Sequence, residues 1–145
     1  MLNTSMVVGD QLGSLGLPVV SVDRRIENDG RTSGMIVTFE NGMTLSIQWH
    51  SGAYSNVGRG YWKPGDEPDF EAAAWYPEAF DQPWVVNGED WGTKRKWFNP
   101  DPRFDGDDVL PYVKIHEVID FARKVAAVTI SLENLGKALY LVAAR

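Results

Sequence analysis

Few side chains of this 145-residue chain have types suited to acid–base or metal chemistry. It contains two histidines and no cysteine, which excludes disulfides, thiolate catalysis and cysteine metal sites. His50 follows a predicted strand and opens a long loop, a place where sites are often built. His116 lies at the start of a predicted helix. Because two histidines so placed need further ligands in register to hold zinc, we predict no metal site.

An acidic run in the last third of the chain resembles a calcium-binding loop only superficially. Its aspartates are Asp101, Asp105, Asp107 and Asp108. Their spacing is not that of an EF-hand, and the terminal bidentate Glu is missing. We expect a solvated turn in which Asp107 or Asp108 caps the following helix. No Gly-x-Ser-x-Gly motif follows a predicted strand, so the sequence predicts no catalytic residue and no cofactor.

The aromatic residues are the more informative set. Six tryptophans occur, all between Trp49 and Trp97. Most of these rings are expected to fill the core, because tryptophan is usually well buried. The alternative is an interaction surface on the loop 50–62, because Trp and Tyr are enriched at binding hot spots. The candidate binding residues are Trp49, His50, Tyr54, Arg59, Tyr61 and Trp62.

Residues 35–49 predict the β-hairpin that positions this loop. Apolar and polar side chains alternate on both sides of a central Asn-Gly pair, which is typical of half-buried strands. A two-residue turn would place Phe39 opposite Thr44 and mix the two faces. A three-residue turn pairs Phe39 with Met43 and needs Gly42 in a left-handed conformation. The predicted buried face is Met35, Val37, Phe39, Met43, Leu45, Ile47 and Trp49.

The remaining segments predict strands first and helices last. Val19–Ile26 has the composition of a strand that precedes the hairpin, and 69–76 favours a strand over a helix because it is short and ends at a proline. Asn87-Gly88 favours a second, smaller hairpin. Residues 115–125 have the apolar spacing of an amphipathic helix. Its predicted buried face is Ile115, Val118, Ile119, Ala122 and Val125. We expect that helix to begin within 109–114, because a proline there is tolerated only in the first turn.

A second C-terminal helix is predicted over 132–142, where leucines recur at helical spacing. The order of elements indicates one α+β domain spanning 1–145, with a small antiparallel sheet of three to five strands, a β-meander, packed against one or two C-terminal helices. The net charge of −6 disfavours general nucleic-acid binding. The N-terminus predicts neither a signal peptide nor a membrane span, so we expect a cytoplasmic protein.

Three segments of the chain resemble small uncharacterised proteins of actinobacteriophages: TFENGMTLSIQW, FEAAAWY and DDVLPYVKIHEVIDFARKVA. The shared features are an Asn-Gly hairpin ending in an aromatic residue, an alanine-tryptophan strand, and a Tyr-Val step into a Glu-Val helix. The resemblance covers about residues 36–126, with gaps, and departs at Lys114-Ile115-His116, where that group has a Ser-Pro-Glu type of helix start. It implies a phage origin and action inside an infected bacterium, and it assigns no residue role.

The leading functional hypothesis is a non-enzymatic binding protein that engages a host or phage macromolecule, expected to be a protein, through the aromatic loop. One alternative is an enzyme or nucleotide-type small-ligand binder that uses His50 and nearby carboxylates. Another is a carbohydrate-binding module. A concave pocket with convergent polar groups at the loop would favour the small-ligand alternative, whereas a flat patch would favour the binding protein.

Overall fold

A computed structural model of the protein describes residues 15–98, 100 and 109–130. This part of the chain contains a five-stranded antiparallel sheet, a separate two-stranded sheet and one α-helix. The elements in chain order are β1 (Val19–Ile26), β2 (Thr32–Phe39), β3 (Thr44–Gln48), β4 (Asp69–Trp75), a short 3-10 helix (Glu78–Phe80), β5 (Gln82–Val86), β6 (Glu89–Lys94), β7 (Leu110–Lys114) and α1 (Ile115–Ala126). The larger sheet has the order β1-β2-β3-β4-β7, which confirms the predicted α+β class and the meander.

The central hairpin of β2 and β3 has the predicted register. Met35 pairs with Ile47, and the Phe39 N–H donates to the Met43 carbonyl over 3.0 Å. Gly42 has a φ of +85°, so the three-residue turn with a left-handed glycine is confirmed. All seven side chains of the predicted inner face are buried.

Asn41, in the same turn, also holds the C-terminal end of α1. Its Nδ2 donates to the carbonyls of Val125, Ala126 and Val128 at 3.0, 3.2 and 2.9 Å. Its Oδ1 accepts the Met43 N–H at 2.9 Å. The last carbonyls of a helix have no partner within the helix. The two Nδ2 hydrogens of Asn41 are thus shared among the Val125 and Ala126 carbonyls of the last helical turn and the Val128 carbonyl just beyond it, which fixes the helix end against the hairpin turn.

The helix starts later than the sequence predicts. Leu110–Lys114 pairs with β4 as an edge strand, and α1 begins at Ile115 with Lys114 as its N-cap. The prediction of a helix start within 109–114 was therefore wrong, and so was the assignment of the cap to Asp107 or Asp108. Pro111, the proline that suggested a first helical turn, lies on this edge strand at the register shift between the Leu110 and Val113 pairs, where a missing N–H is tolerated.

The inner face of α1 contacts β3, β4 and β7. Its buried side chains are Val118, Phe121, Ala122 and Val125. Three of these were predicted, but Ile115 and Ile119, predicted as buried, are only half-buried. Phe121, which the predicted stripe omitted, stacks on Phe98 with ring centroids 6.2 Å apart and planes at 13°. The buried face is therefore rotated towards the segment that follows β6.

Two further predictions are confirmed and two lie outside the described residues. Residues 69–75 form a strand, and Asn87-Gly88 joins β5 to β6. The second helix predicted over 132–142 and the turn around Asp101–Asp108 lie outside the described residues.

The turn glycine gives a first test. A Cβ at Gly42 would lie 2.9 Å from Cγ of Pro77, whereas Gly30, with the same φ of +85°, has nothing within 4 Å. We expect Gly30→Ala to cost about 1–2 kcal/mol for the left-handed backbone alone, and Gly42→Ala to cost measurably more. Urea denaturation of both variants measures the difference. Wild-type stability in Gly42→Ala would contradict the assigned turn.

Candidate functional site

The loop between β3 and β4 is held by hydrogen bonds to the first residue of β4. The Asp69 N–H donates to Oδ1 of Asn56 at 3.0 Å, and the Asn56 N–H donates back to the Asp69 carboxylate. The Ser55 hydroxyl donates to the Asp69 carbonyl at 2.7 Å, and Asn56 Nδ2 donates to the Glu67 carbonyl at 3.1 Å. The loop is thus ordered largely by its own polar groups, as in compact surface loops.

The same loop is attached to the β7 edge by a backbone hydrogen bond, in which the Tyr112 N–H donates to the Tyr54 carbonyl at 2.9 Å. Beside it, Nζ of Lys114 on β7 lies 3.6 Å from Oδ2 of Asp69 on β4. The Tyr54 N–H in turn donates to Oε2 of Glu71, on β4, at 2.9 Å. The middle of the loop is therefore fixed to both strands.

Three exposed side chains come together on this support, and we call them the Tyr54 surface: Tyr54, Arg59 and Tyr112. The Tyr54 and Tyr112 rings meet at 6.0 Å and 62° and are 44% and 43% exposed. The Arg59 guanidinium carbon lies 4.8 Å from the Tyr54 ring centroid, a cation–π geometry. Arg59 Nε donates to the Ala53 carbonyl at 3.0 Å, which fixes the side chain over the ring.

A bulge in β7 brings Tyr112 to this surface. Val113 pairs with Phe70 and Leu110 with Ala72, so two residues of β7 oppose one of β4. Tyr112 has a φ of +52°, a left-handed conformation that costs a non-glycine residue about 1–2 kcal/mol. Leu110 and Val113 are both buried as a result, and the Tyr112 ring is turned outward. Such strain is concentrated at functional sites in proteins.

The other predicted site residues are dispersed. Trp49 is only 5% exposed; its ring packs edge-on against Phe70, and its Nε1 donates to the Thr32 carbonyl. It therefore belongs to the core and contributes no surface. Trp62 is half-buried on the following turn, where its Nε1 donates to the Asp66 carbonyl at 2.9 Å. Tyr61 is exposed by 67%.

His50 stabilises the backbone of the loop through a hydrogen bond. Its Nδ1 accepts the Gly52 N–H at 3.1 Å, which leaves the ring proton on Nε2 in the neutral form. Burial lowers the pKa of His50 below its ordinary value, and Arg25 lowers it further, against the opposing effect of Glu71 and Glu27. The imidazole is therefore predominantly neutral at pH 7. Within 15–98, 100 and 109–130, no group of three or more His, Asp or Glu is placed to hold a metal ion.

Sequence reasoning missed two exposed aromatic features. Tyr112 was missed because its partner Tyr54 is distant in the chain. On the β5–β6 hairpin, the Trp84 and Trp91 rings meet at 5.4 Å and are 42% and 54% exposed. The sequence did contain a signal for the tryptophan pair, because Trp84 and Trp91 flank the Asn87-Gly88 turn. Its exposure follows from the hairpin pairing only with itself and not with the larger sheet.

Comparisons of the chain with protein-family models, with curated proteins and with solved structures gave no match. Over the described ranges, no helix has the length and apolar character needed to cross a membrane. Functional inference therefore rests on the geometry of the sites themselves.

The packing of the loop gives a second test. A Cβ at Gly58 would lie 2.0 Å from the His50 carbonyl oxygen, whereas one at Gly52 would meet only the His50 ring at 3.3 Å. Gly58→Ala must push this part of the loop away from the backbone of Trp49 and His50, and overpacking of this kind costs about 1–3 kcal/mol. Gly52→Ala should stay within about 0.5 kcal/mol of wild type. Urea denaturation compares the two, and equal stability of both variants would contradict the close packing.

Proposed function

We propose that the chain is a non-enzymatic binding protein that engages a protein partner through the Tyr54 surface. The observation that supports this most directly is the exposure of two tyrosines and an arginine on a backbone held at many points. Tyr and Arg are enriched at the residues that contribute most to binding energy. A loop that is ordered before binding loses little conformational entropy when the partner docks.

The chemistry of the surface indicates the chemistry of its partner. Arg59 uses Nε for the Ala53 carbonyl, and its two terminal nitrogens point to no hydrogen-bond acceptor among the described residues. A guanidinium held on an aromatic face can bind a carboxylate through two parallel hydrogen bonds. The expected partner patch is therefore apolar, with an Asp or Glu side chain opposite Arg59.

The hydrogen bonding of His50 fits a role in stabilising the loop of a binding protein better than a role as a catalytic base. A general base needs a free lone pair within reach of a substrate proton. The Nδ1 lone pair of His50 accepts the Gly52 N–H, so this nitrogen stabilises the turn. The proton on Nε2 makes the other nitrogen a donor.

The proposed setting is the cytoplasm of an infected bacterium, with the chain encoded by a phage. This part of the proposal rests on the resemblance of the hairpin, β4 and the β7–α1 segment to actinobacteriophage proteins. The partner is accordingly sought first among the proteins of an actinobacterial host.

The test compares variants of the Tyr54 surface with a matched control on the same loop. Immobilised wild-type protein is expected to enrich a host protein from an actinobacterial lysate, and Tyr54→Ala and Arg59→Ala are expected to lose it. Tyr61→Ala, which removes a more exposed ring outside the Tyr54 surface, should retain it. With the purified partner, each loss should reach about tenfold or more in Kd, as expected for hot-spot residues.

Two results would contradict the proposal. One is equal binding of the partner by wild type and by both surface variants. The other is a loss of several kcal/mol of stability in Tyr54→Ala, which would mean that the ring supports the fold, as truncated buried aromatics do.

Trp91→Ala serves as a second control, because loss of the partner there would move the contact to the β5–β6 hairpin and away from the Tyr54 surface.

A further inference from the structure

A cleft of about 300 Å³ opens where β4 ends, beside the exit from β6. The residues that line it are Trp75, Tyr76, Glu78, Asp81 and Arg95. Its volume is at the small end of the range for ligand pockets. Three of its five lining residues are charged and two are aromatic, so the lining is more polar than that of most small-ligand sites, which fits a charged ligand. It shares no residue with the Tyr54 surface.

The aromatic wall of the cleft is rigid. Trp75 and Trp97 form an isolated antiparallel bridge, and their rings meet at 5.7 Å and 81°. The Tyr76 N–H donates to the Lys96 carbonyl at 2.9 Å. The Tyr76 ring also contacts Phe98 at 6.1 Å, which joins it to the core. Both wall rings are therefore fixed by backbone pairing and by packing against neighbouring rings.

The charged groups of the cleft are not paired with one another. Arg95 lies over the Trp75 ring, with its guanidinium carbon 4.2 Å from the centroid. Among the described residues, no salt bridge involves Arg95, Glu78 or Asp81. The two carboxylates are brought to one rim by the 3-10 helix, where the Asp81 N–H donates to the Glu78 carbonyl at 2.9 Å. One cation and two anions thus line the same small volume while each keeps free hydrogen-bonding capacity.

We propose that this cleft binds a small zwitterion of the amino-acid type with an apolar side chain. The ligand carboxylate would accept two hydrogen bonds from the Arg95 guanidinium. Its ammonium group would donate to Asp81 and Glu78. Its side chain would pack against the parts of the Trp75 and Tyr76 rings that Arg95 and Lys96, 4.2 and 4.6 Å from the ring centroids, leave uncovered. A simple cation would meet the Arg95 charge, and a simple anion would meet two carboxylates. A molecule with both charges is the ligand class that satisfies all three groups.

The experiment uses L-phenylalanine as the probe and two analogues that each lack one charge. The intact protein, labelled with ¹⁵N, is titrated with L-phenylalanine, with its amide and with its N-acetyl derivative. The indole N–H signal of Trp75, assigned through Trp75→Phe, reports on the cleft, and the signal of Trp91 reports on the neighbouring β5–β6 hairpin. L-phenylalanine should shift the Trp75 signal saturably, with a Kd of about 1 mM or tighter. Each analogue should bind about tenfold more weakly or worse, which is the effect of losing one charged hydrogen bond.

Charge-removing variants assign each end of the ligand. Arg95→Gln should weaken the binding of L-phenylalanine at least about tenfold and leave the affinity for the amide unchanged. Asp81→Asn and Glu78→Gln, which act on the ammonium end, should also weaken L-phenylalanine at least about tenfold and leave the affinity for the N-acetyl derivative unchanged. Arg31→Gln, which removes an exposed arginine paired with Asp29, is the matched control and should bind as wild type. Dispersed amide signals in each variant show that it is folded.

Three results would overturn the proposal: no saturable shift of the Trp75 signal, equal binding of all three compounds, or unchanged affinity for L-phenylalanine in Arg95→Gln. None of them bears on the Tyr54 surface, because that proposal rests on other residues and on a protein partner.

Discussion

Asp69 is buried at the start of β4, with only 6% of its surface exposed, and its polar atoms bind several parts of the chain. Its carboxylate accepts the Asn56 N–H and lies 3.6 Å from Nζ of Lys114, while its own N–H and carbonyl bind Asn56 and Ser55. Burying a carboxylate is unfavourable unless it is paired and hydrogen-bonded. The loop, the β4 strand and the N-cap of α1 must therefore adopt their positions together.

The Tyr54 surface depends on this arrangement. Tyr54 and Arg59 lie on the loop that Asp69 holds in place. Tyr112 lies on β7, whose last residue is Lys114. The left-handed backbone at Tyr112 costs free energy, and the hydrogen bond from its N–H to the Tyr54 carbonyl joins the strained residue to the ordered loop. The side chains of the Tyr54 surface are thus fixed from two directions, which is the physical basis for proposing that they contact a partner.

Local patterns allowed much of the sheet to be predicted, and long-range contacts explain most of the errors. The alternation of apolar and polar residues on both sides of the central turn was enough to predict the register of the hairpin, in which Met35 pairs with Ile47. A shift by one residue would turn every apolar side chain outward. The alternation could not reveal that Asn41 binds the carbonyl of Val125, 84 residues away. For the same reason β7 was mistaken for the start of the helix. Of the predicted binding residues, Trp49 lies in the core, since its position continues the inner row of β3.

Hydrogen exchange on Asp69→Asn tests the central claim most directly, namely that Asp69 holds the loop between β3 and β4 in place. The informative amides are those of Arg59 and Tyr61, which donate to the carbonyls of Ser55 and Asn56, together with that of Tyr112. Removing the charge weakens the hydrogen bond from the Asn56 N–H and abolishes the ion pair with Lys114. Exchange at these three amides should therefore speed up about tenfold or more, while the amides between β2 and β3, and all amides of the control variant Asp29→Asn, should keep wild-type rates. Unchanged exchange at all three loop-linked amides in Asp69→Asn would contradict the account.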